Sequence, residues 1–518
     1  MHKCKISYNY YLSVFFGKNR KLIIHNSLKM YILGYDIGSS SIKASILEAE
    51  TGKVVGSATA PTTEMEMIAH KAGWAEQHPD MWWQYLKEAT QQVLATSKVK
   101  KQNIKSIGIS YQMHGLVVVD KDLKPLRPSI IWCDSRAVQI GESALIGMGE
   151  KKTLSRLLNS PANFTASKLR WVKENEPELY EKIYKFMLPG DYIALKMSGE
   201  VQTTTSGLSE GILWNFKKNQ VANFLLNYYK IDNHLLPEIV PTFGKQAQLS
   251  KSASEELGLE EGTWIGYRAG DQPNNAFSLN VLNAGEVAAT AGTSGVVYGV
   301  SDSFQYDKKS RVNTFLHVNQ KAGILLCING TGILNSWLRK NVFSRDIPYQ
   351  AMNELASGVG IGAEGLRILP FGNGAERVLA NKEIGSNILG LQLNVHQQAH
   401  LARAVQEGIV FALRYGFDVM KGIDVQAKTV KAGDANMFLS PLFAQTFATV
   451  TNTTVELYNT DGSQGAARAG GIGAEIYGSF ADAFVGLNKT KTIEPDLNTQ
   501  SQYEEVYQDW GNKLSQML

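Results

Sequence analysis

The chain has 518 residues, more than one hydrophobic core usually serves, so two large domains are expected. Hydrophobic residues make up 44% and charged residues 19%, the balance of an ordinary globular protein. The net charge of +4 is spread out with no block of five or six Lys or Arg, so no nucleic-acid partner is indicated, and three cysteines, Cys4, Cys133 and Cys327, without CxxC spacing, fit a reducing compartment such as the cytoplasm.

Residues 1–29 hold aromatic stretches broken by Gly17, Lys18, Asn19, Arg20 and Lys21, too short to span a membrane and without a cleavage pattern. Met30 stands directly before a strand-like run, and the expectation is that the native chain starts there, with 1–29 a disordered or non-native extension. Tyr31 to Asp36 and Ile42 to Glu48 are β-type runs joined by Gly38, Ser39, Ser40 and Ser41, and Val54 to Ala58 continues a meander. Ile104 to Ser110 and Leu116 to Val119 read as later strands, with Gln112-Met113-His114-Gly115 in a loop between them. Residues 166–185 carry helical periodicity, and Leu188 to Asp191 reads as a turn before the next helix.

A second round follows. Trp264 to Arg268 is strand-like, and Gly270-Asp271-Gln272-Pro273 is a turn whose proline suits the first turn of a helix. Val287 to Ala291, Gly292-Thr293-Ser294-Gly295 and Val296 to Val300 then repeat the opening device of strand, small polar turn and strand. Two such hairpins about 250 residues apart predict two similar α/β domains facing one another. A long helix is expected from about Val395 to Lys421. No low-complexity linker separates the halves, which favours a tight interdomain cleft.

A glycine followed by hydroxyl residues lets backbone N–H groups and side-chain donors approach an anion. Either turn alone reads more readily as an ordinary polar turn; paired, with Asp36 entering the first, they read as a phosphate cradle. Neither GxxxxGK[ST] nor a strand-linked GxGxxG is present, so phosphate would have to be held another way. Asp271 at a strand end is placed either to project into a cleft or simply to begin a helix. Met113 and His114 form a loop pair, and a lone loop histidine is otherwise merely solvated. Trp132 in IIWCDSR reads, on spacing alone, as core. His396 and His400 share a helical face, but Gln397 follows the first and no third ligand is evident, so no metal site is assigned there.

Eight words in one order, YDIGSSSIKA, GWAEQHPDMWW, YQMHG, IIWCDSR, SKLRWVKENEP, LPGDYIALKMSGE, GDQ and AGTSG, resemble the FGGY carbohydrate kinases, and within them the xylulokinases, from Met30 to the C-terminus. The resemblance implies two actin-like (ribonuclease H-like) α/β ATPase domains, each with a mixed sheet, residues 30–278 binding sugar and 279–518 binding ATP, with the active site in the cleft. It implies ATP and Mg²⁺ as cofactors, and a homodimer as common among relatives.

By the same resemblance Asp271 matches the general base, Gln272 a sugar contact where xylulokinases often carry Asn, Met113 and His114 the ketose-contacting pair, and Trp132 a ring beside the sugar. Gly38, Ser39, Ser40 and Ser41 match the first phosphate turn, Asp36 a carboxylate reaching the metal through water, Gly292 and Thr293 the second phosphate turn, and Gly332, Ser336, Gly433 and Asn436 the adenosine side. The implied reaction is phosphorylation of D-xylulose to D-xylulose 5-phosphate. The alternatives are another sugar or polyol (ribulose, a tetritol, gluconate) and a non-catalytic sugar sensor, against which stands the lack of a helix-turn-helix pattern. Three departures bear on substrate identity: KAGDANMF for the family's GGGAKS, TTTSGLSEG for TDxSDASGT, and GDQPNNA for GDNAAGA, where Pro273 and Asn274 would reshape the sugar pocket.

Overall fold

The computed structural model describes residues 29–518, and the expectation for the N-terminal extension lies outside the described residues except for Lys29. Each half is built on one mixed sheet. In the first, β1 (Tyr31–Ile37), β2 (Ile42–Glu48) and β3 (Val54–Ala60) form an antiparallel meander. With β4 (Ile104–Tyr111), β5 (Phe243–Gln248) and β6 (Trp264–Gly270) the order is β5-β6-β4-β1-β2-β3, in which β4 lies parallel to both β1 and β6.

The second sheet comprises β7 (Val287–Ala291), β8 (Gly295–Ser301), β9 (Asn313–Leu316), β10 (Ala322–Ile328), β11 (Thr429–Gly433), β12 (Thr454–Tyr458) and β13 (Lys489–Ile493). Its order is β9-β10-β8-β7-β11-β12-β13. Without the edge strand β9, both sheets read antiparallel, antiparallel, parallel, parallel, antiparallel across their strands. The two hairpins seen in the sequence therefore head two copies of one plan.

Alternation along β1 sorts its side chains onto two faces. Leu33, Tyr35 and Ile37 pack towards α1 (Pro79–Ser97), where the Tyr35 hydroxyl meets Thr90 Oγ1 at 2.6 Å. Ile32, Gly34 and Asp36 face the other way. Further helices that position the site are α2 (Thr165–Asn175), α3 (Thr205–Glu210), α4 (Asp271–Ser278), α5 (Gly332–Asn341), α6 (Gln398–Lys421) and α7 (Gly462–Gly473). α7, from the second half of the chain, lies across β1, β4 and β6 of the first sheet. Gly34, Gly108 and Gly266 open that face: a Cβ at any of them would run into the α7 backbone or its last turn.

Two expectations are adjusted. The helical run expected over 166–185 stops at Asn175, because Pro177 disfavours helical backbone at Glu176, and is followed by a short helix, Pro177–Tyr180, and a strand, Lys185–Met187. The long helix expected from Val395 begins at Gln398. Among the described residues no helix is long and apolar enough to cross a membrane.

Candidate active site

Three parallel strands of the first sheet end on one rung of the ladder: Ile37 pairs with Tyr111, and Tyr111 with Gly270. The next residues are Gly38, Gln112 and Asp271, so the first polar turn, the QMHG loop and Asp271 emerge side by side at carboxyl ends of parallel strands, where α/β sheets bind ligands. In the second sheet, Gly292 follows β7 and Gly433 ends β11, two adjacent parallel strands.

In the first turn the Gly38 amide donates to the Ser41 carbonyl at 3.1 Å. Gln77 Nε2 donates to the Ser39 carbonyl at 2.7 Å, and Gln77 Oε1 accepts from Trp82 Nε1 at 3.0 Å, which ties the turn to α1. Trp132 Nε1 donates to Ser39 Oγ at 3.3 Å. Trp132 is 43% exposed, a correction to its reading as core. Ile130 and Ile131 fill the core positions, and the chain then turns outward. Buried Asp134 fixes that bend by accepting the Ala75 amide and pairing with Arg136, both at 2.6 Å, while Arg136 stacks on Trp74.

The QMHG loop is not solvated either. Met113 is buried, and His114, in left-handed backbone at φ 62°, packs edge-on to Phe164 with ring centroids 4.7 Å apart. Its Nδ1 donates to the Glu210 carbonyl at 2.9 Å, and burial lowers its pKa to about 3. The ring is therefore neutral, and Nε2 is left as an acceptor. Lys168 of α2 is fully buried and donates to the His114 carbonyl at 3.0 Å and the Ile131 carbonyl at 2.8 Å, joining the loops that carry His114 and Trp132.

Asp271 is the first residue of α4, so both sequence readings hold: it begins a helix and stands at the strand end. Burial and then the neighbouring Asp36 carboxylate raise its pKa to about 7, against the pull of the Gln272 amide and side chain. Asp36 is itself raised by burial, opposed by Lys43 and Ser110, whose Oγ donates to Asp36 Oδ1 at 2.9 Å. The other Asp36 oxygen faces Gly462 at the start of α7, where a Cβ would overlap it. Asn274 is fully buried and donates to the Gly462 carbonyl at 2.8 Å, so in GDQPNNA it ties α4 to α7, in place of the pocket role expected of it.

On the second-domain side, the Gly332 amide donates to the Gly292 carbonyl at 2.9 Å, and the Ile333 amide to the Thr293 carbonyl at 3.1 Å, seating α5 on the second polar turn. Ser336 lies one helical turn further along α5. Asn436, at φ 56°, reaches the same turn, its side-chain amide 3.6 Å from where a Gly292 Cβ would stand. His400 caps the start of α6, its Nδ1 accepting the Gln397 amide at 3.0 Å, and His396 closes the turn before it, its Nδ1 accepting the Gln392 amide at 2.9 Å.

Three residues at the site were not singled out from the sequence. Gln77, within GWAEQHP, fixes the first turn. Lys168, within SKLRW, fixes the two loops. Glu210 is buried and carries a carboxyl raised well above its usual range by burial; its side chain lies where a Gly270 Cβ would be, just before Asp271. None forms a motif with its partners, because each acts across a long sequence separation.

Family models match both halves: the FGGY carbohydrate kinase N-terminal domain over residues 31–278 and the C-terminal domain over residues 287–474. Xylulose kinase of Bacillus subtilis is 28% identical over 495 residues, covering 93% of this chain and 96% of that protein. Among solved structures, a kinase from Brucella ovis described as a xyloylose kinase is 25% identical with a TM-score of 0.84, covering 93% of this chain and 98% of that one. A gluconate kinase from Lactobacillus acidophilus shares the fold at a TM-score of 0.85 and 22% identity, covering 94% of this chain and 98% of that one. With both domain models matched in order, and with the first polar turn and Asp271 side by side at parallel strand ends, the chain belongs to the FGGY family of carbohydrate kinases and is an ATP-dependent sugar kinase.

Proposed function

We propose that the substrate is a ketopentose, D-xylulose, converted to D-xylulose 5-phosphate, with Asp271 as general base. The observation that carries this is the pair formed by Asp271, raised to about 7, and His114, held as a neutral acceptor, at adjacent strand ends. A base with a pKa near the working pH accepts a hydroxyl proton most effectively. His114 Nε2 accepts a second sugar hydroxyl, and Trp132, Met113 and Gln272 complete the sugar wall. The xylulose kinases at 28% identity support this choice of sugar.

In the step, the sugar C5 oxygen forms a bond to the γ-phosphorus while the bond from that phosphorus to the β,γ-bridging oxygen breaks. The hydroxyl proton passes to Asp271, and ADP leaves with the bridging electron pair. Such a transition state is loose, so the protein chiefly positions and stabilises charge. Gly38 to Ser41 and Gly292 with Thr293 hold the phosphates, and Gly332, Ser336, Gly433 and Asn436 line the adenosine side. Asp36 would suit Mg²⁺, a hard cation held by one or two carboxylates plus substrate phosphates, because its carboxylate stands at the end of β1 where the first polar turn begins. When bound, Mg²⁺ neutralises charge on the phosphate oxygens.

The test is ATP consumption against a panel of D-xylulose, ribulose, tetritols, glycerol and gluconate. D-xylulose is expected to give the highest kcat/KM. A gluconate preference would instead favour the second reading, which the shared fold with a gluconate kinase supports.

A further inference from the structure

Arg377 belongs to the second half of the chain, on a short turn, Arg377–Leu379, whose other members, Val378 and Leu379, are buried in the core. The turn is fastened from below. The Glu376 carboxylate, fully buried, accepts the Asn329 amide at 3.0 and 3.2 Å, and Asn329 Nδ2 donates to the Ala375 carbonyl at 3.1 Å. Asn329 directly follows β10, whose last residue, Ile328, pairs with Gly295 of the second phosphate turn. The base of Arg377 is thus anchored beside that turn.

Its side chain reaches the opposite wall. The guanidinium carbon lies 5.5 Å from the ring centroid of Phe164, and Phe164 is the edge-on neighbour of His114. Arg377 therefore spans from the phosphate turn of one domain to the sugar loop of the other. Among the described residues its guanidinium pairs with no carboxylate and donates to no acceptor, and its charge bears on both His114 and Cys327, the penultimate residue of β10, paired with Val296 just after the same turn. A partly exposed arginine with no carboxylate partner is free to pair with an anion that arrives.

We propose that Arg377 is a catalytic residue that contacts the transferring phosphoryl group, delivered by the ATP-binding half across the cleft. The proposal rests on the kinase reading above. In the first turn the residues are serines, which donate hydrogen bonds but bring no positive charge, so a guanidinium at the junction of sugar and phosphate supplies it where negative charge builds on the equatorial oxygens. The bonds made and broken are those already described; Arg377 changes neither atoms nor electrons, only the energy of the charged group in flight.

The test uses the full chain with Arg377→Gln and Arg377→Lys. Arg377→Gln is expected to bind a non-hydrolysable ATP analogue and the sugar within about threefold of the parent, yet to lose roughly 10²- to 10³-fold in kcat. Calorimetric affinity for MgADP with fluoroaluminate and sugar, a mimic of the phosphoryl group in transfer, should fall by a similar factor. Arg377→Lys keeps the charge and should retain more of both, which covers the case of a poorly folded Gln variant. The inference is overturned if Arg377→Gln leaves kcat and fluoroaluminate affinity unchanged, or raises only the sugar KM. A parent enzyme that consumes ATP with no sugar in the panel would sink the kinase substrate reading instead, and the fluoroaluminate titration with ADP alone would still decide the role of Arg377.

Discussion

At the residue scale, Asp271 sits where removal from water and the Asp36 carboxylate both oppose its ionisation, which raises its pKa to about 7. A base must be ionised to accept a proton, so kcat/KM for the sugar should fall as pH drops through about 7 and level off above it. His114, with a pKa of about 3, should add no limb of its own between pH 5 and 9; a second ionisation there would contradict its buried neutral state. Asp271→Asn should retain ATP binding and lose about 10²- to 10⁴-fold in turnover. The same substitution should stabilise the free enzyme. The folded carboxyl binds its proton more tightly than an unfolded one at 3.8, so its contribution is fully present below that pH and lost as pH rises through about 7. At pH 8 the asparagine variant should therefore gain about 1–3 kcal/mol, read as a higher Tm.

At the element scale, α7 joins the halves by lying on β1, β4 and β6 with backbone against backbone. Its start also faces Asp36 and is tied to α4 through Asn274, so the helix that closes the sheet face also sets the Asp36 carboxylate. Gly34→Ala places a methyl group into the Ser463 carbonyl and the Ala467 backbone. It should cost about 1–3 kcal/mol in stability and reduce activity by moving α7 off Asp36; an unchanged melting curve would show that the helix can slide at little cost. Lys168 acts between elements in a different way, joining two loops from α2. Lys168→Met fills the volume without the donors, so the sugar KM should rise by about tenfold with ATP KM nearly unchanged.

For the whole molecule, one apolar cluster takes in Met113, Phe164 and Leu208 from the first half and Tyr298, Phe315 and Leu316 from the second. The Leu316 amide donates to Ser209 Oγ at 2.7 Å, and Asn159 Nδ2 to the Thr314 carbonyl at 2.7 Å, fixing the β9 edge against the first domain. The halves are thus joined along the cluster that holds Met113 and Phe164 and along α7. Closure should need both ligands, because a phosphate over an open cleft would otherwise pass to water. X-ray scattering should show a smaller radius of gyration with sugar plus a non-hydrolysable ATP analogue than with either alone, and ATP hydrolysis without sugar should be slow.

The two-domain plan, the strand ends that carry Asp36, Asp271 and the two polar turns, and the repeated hairpin were legible in the sequence, because short-range spacing of apolar runs and glycine-hydroxyl turns encodes them. Spacing alone reads Trp132 as core, because it cannot tell a side chain that fills the core from one displaced outward by Ile130 and Ile131. The departure GDQPNNA points Asn274 towards the sugar pocket, whereas helical rotation turns its side chain towards α7. Gln77, Lys168, Glu210 and Arg377 came to light only in three dimensions. Each works through a partner tens to hundreds of residues away, and whether a buried polar group meets its partner, or is left waiting for a ligand, is decided by which strands and helices pack together.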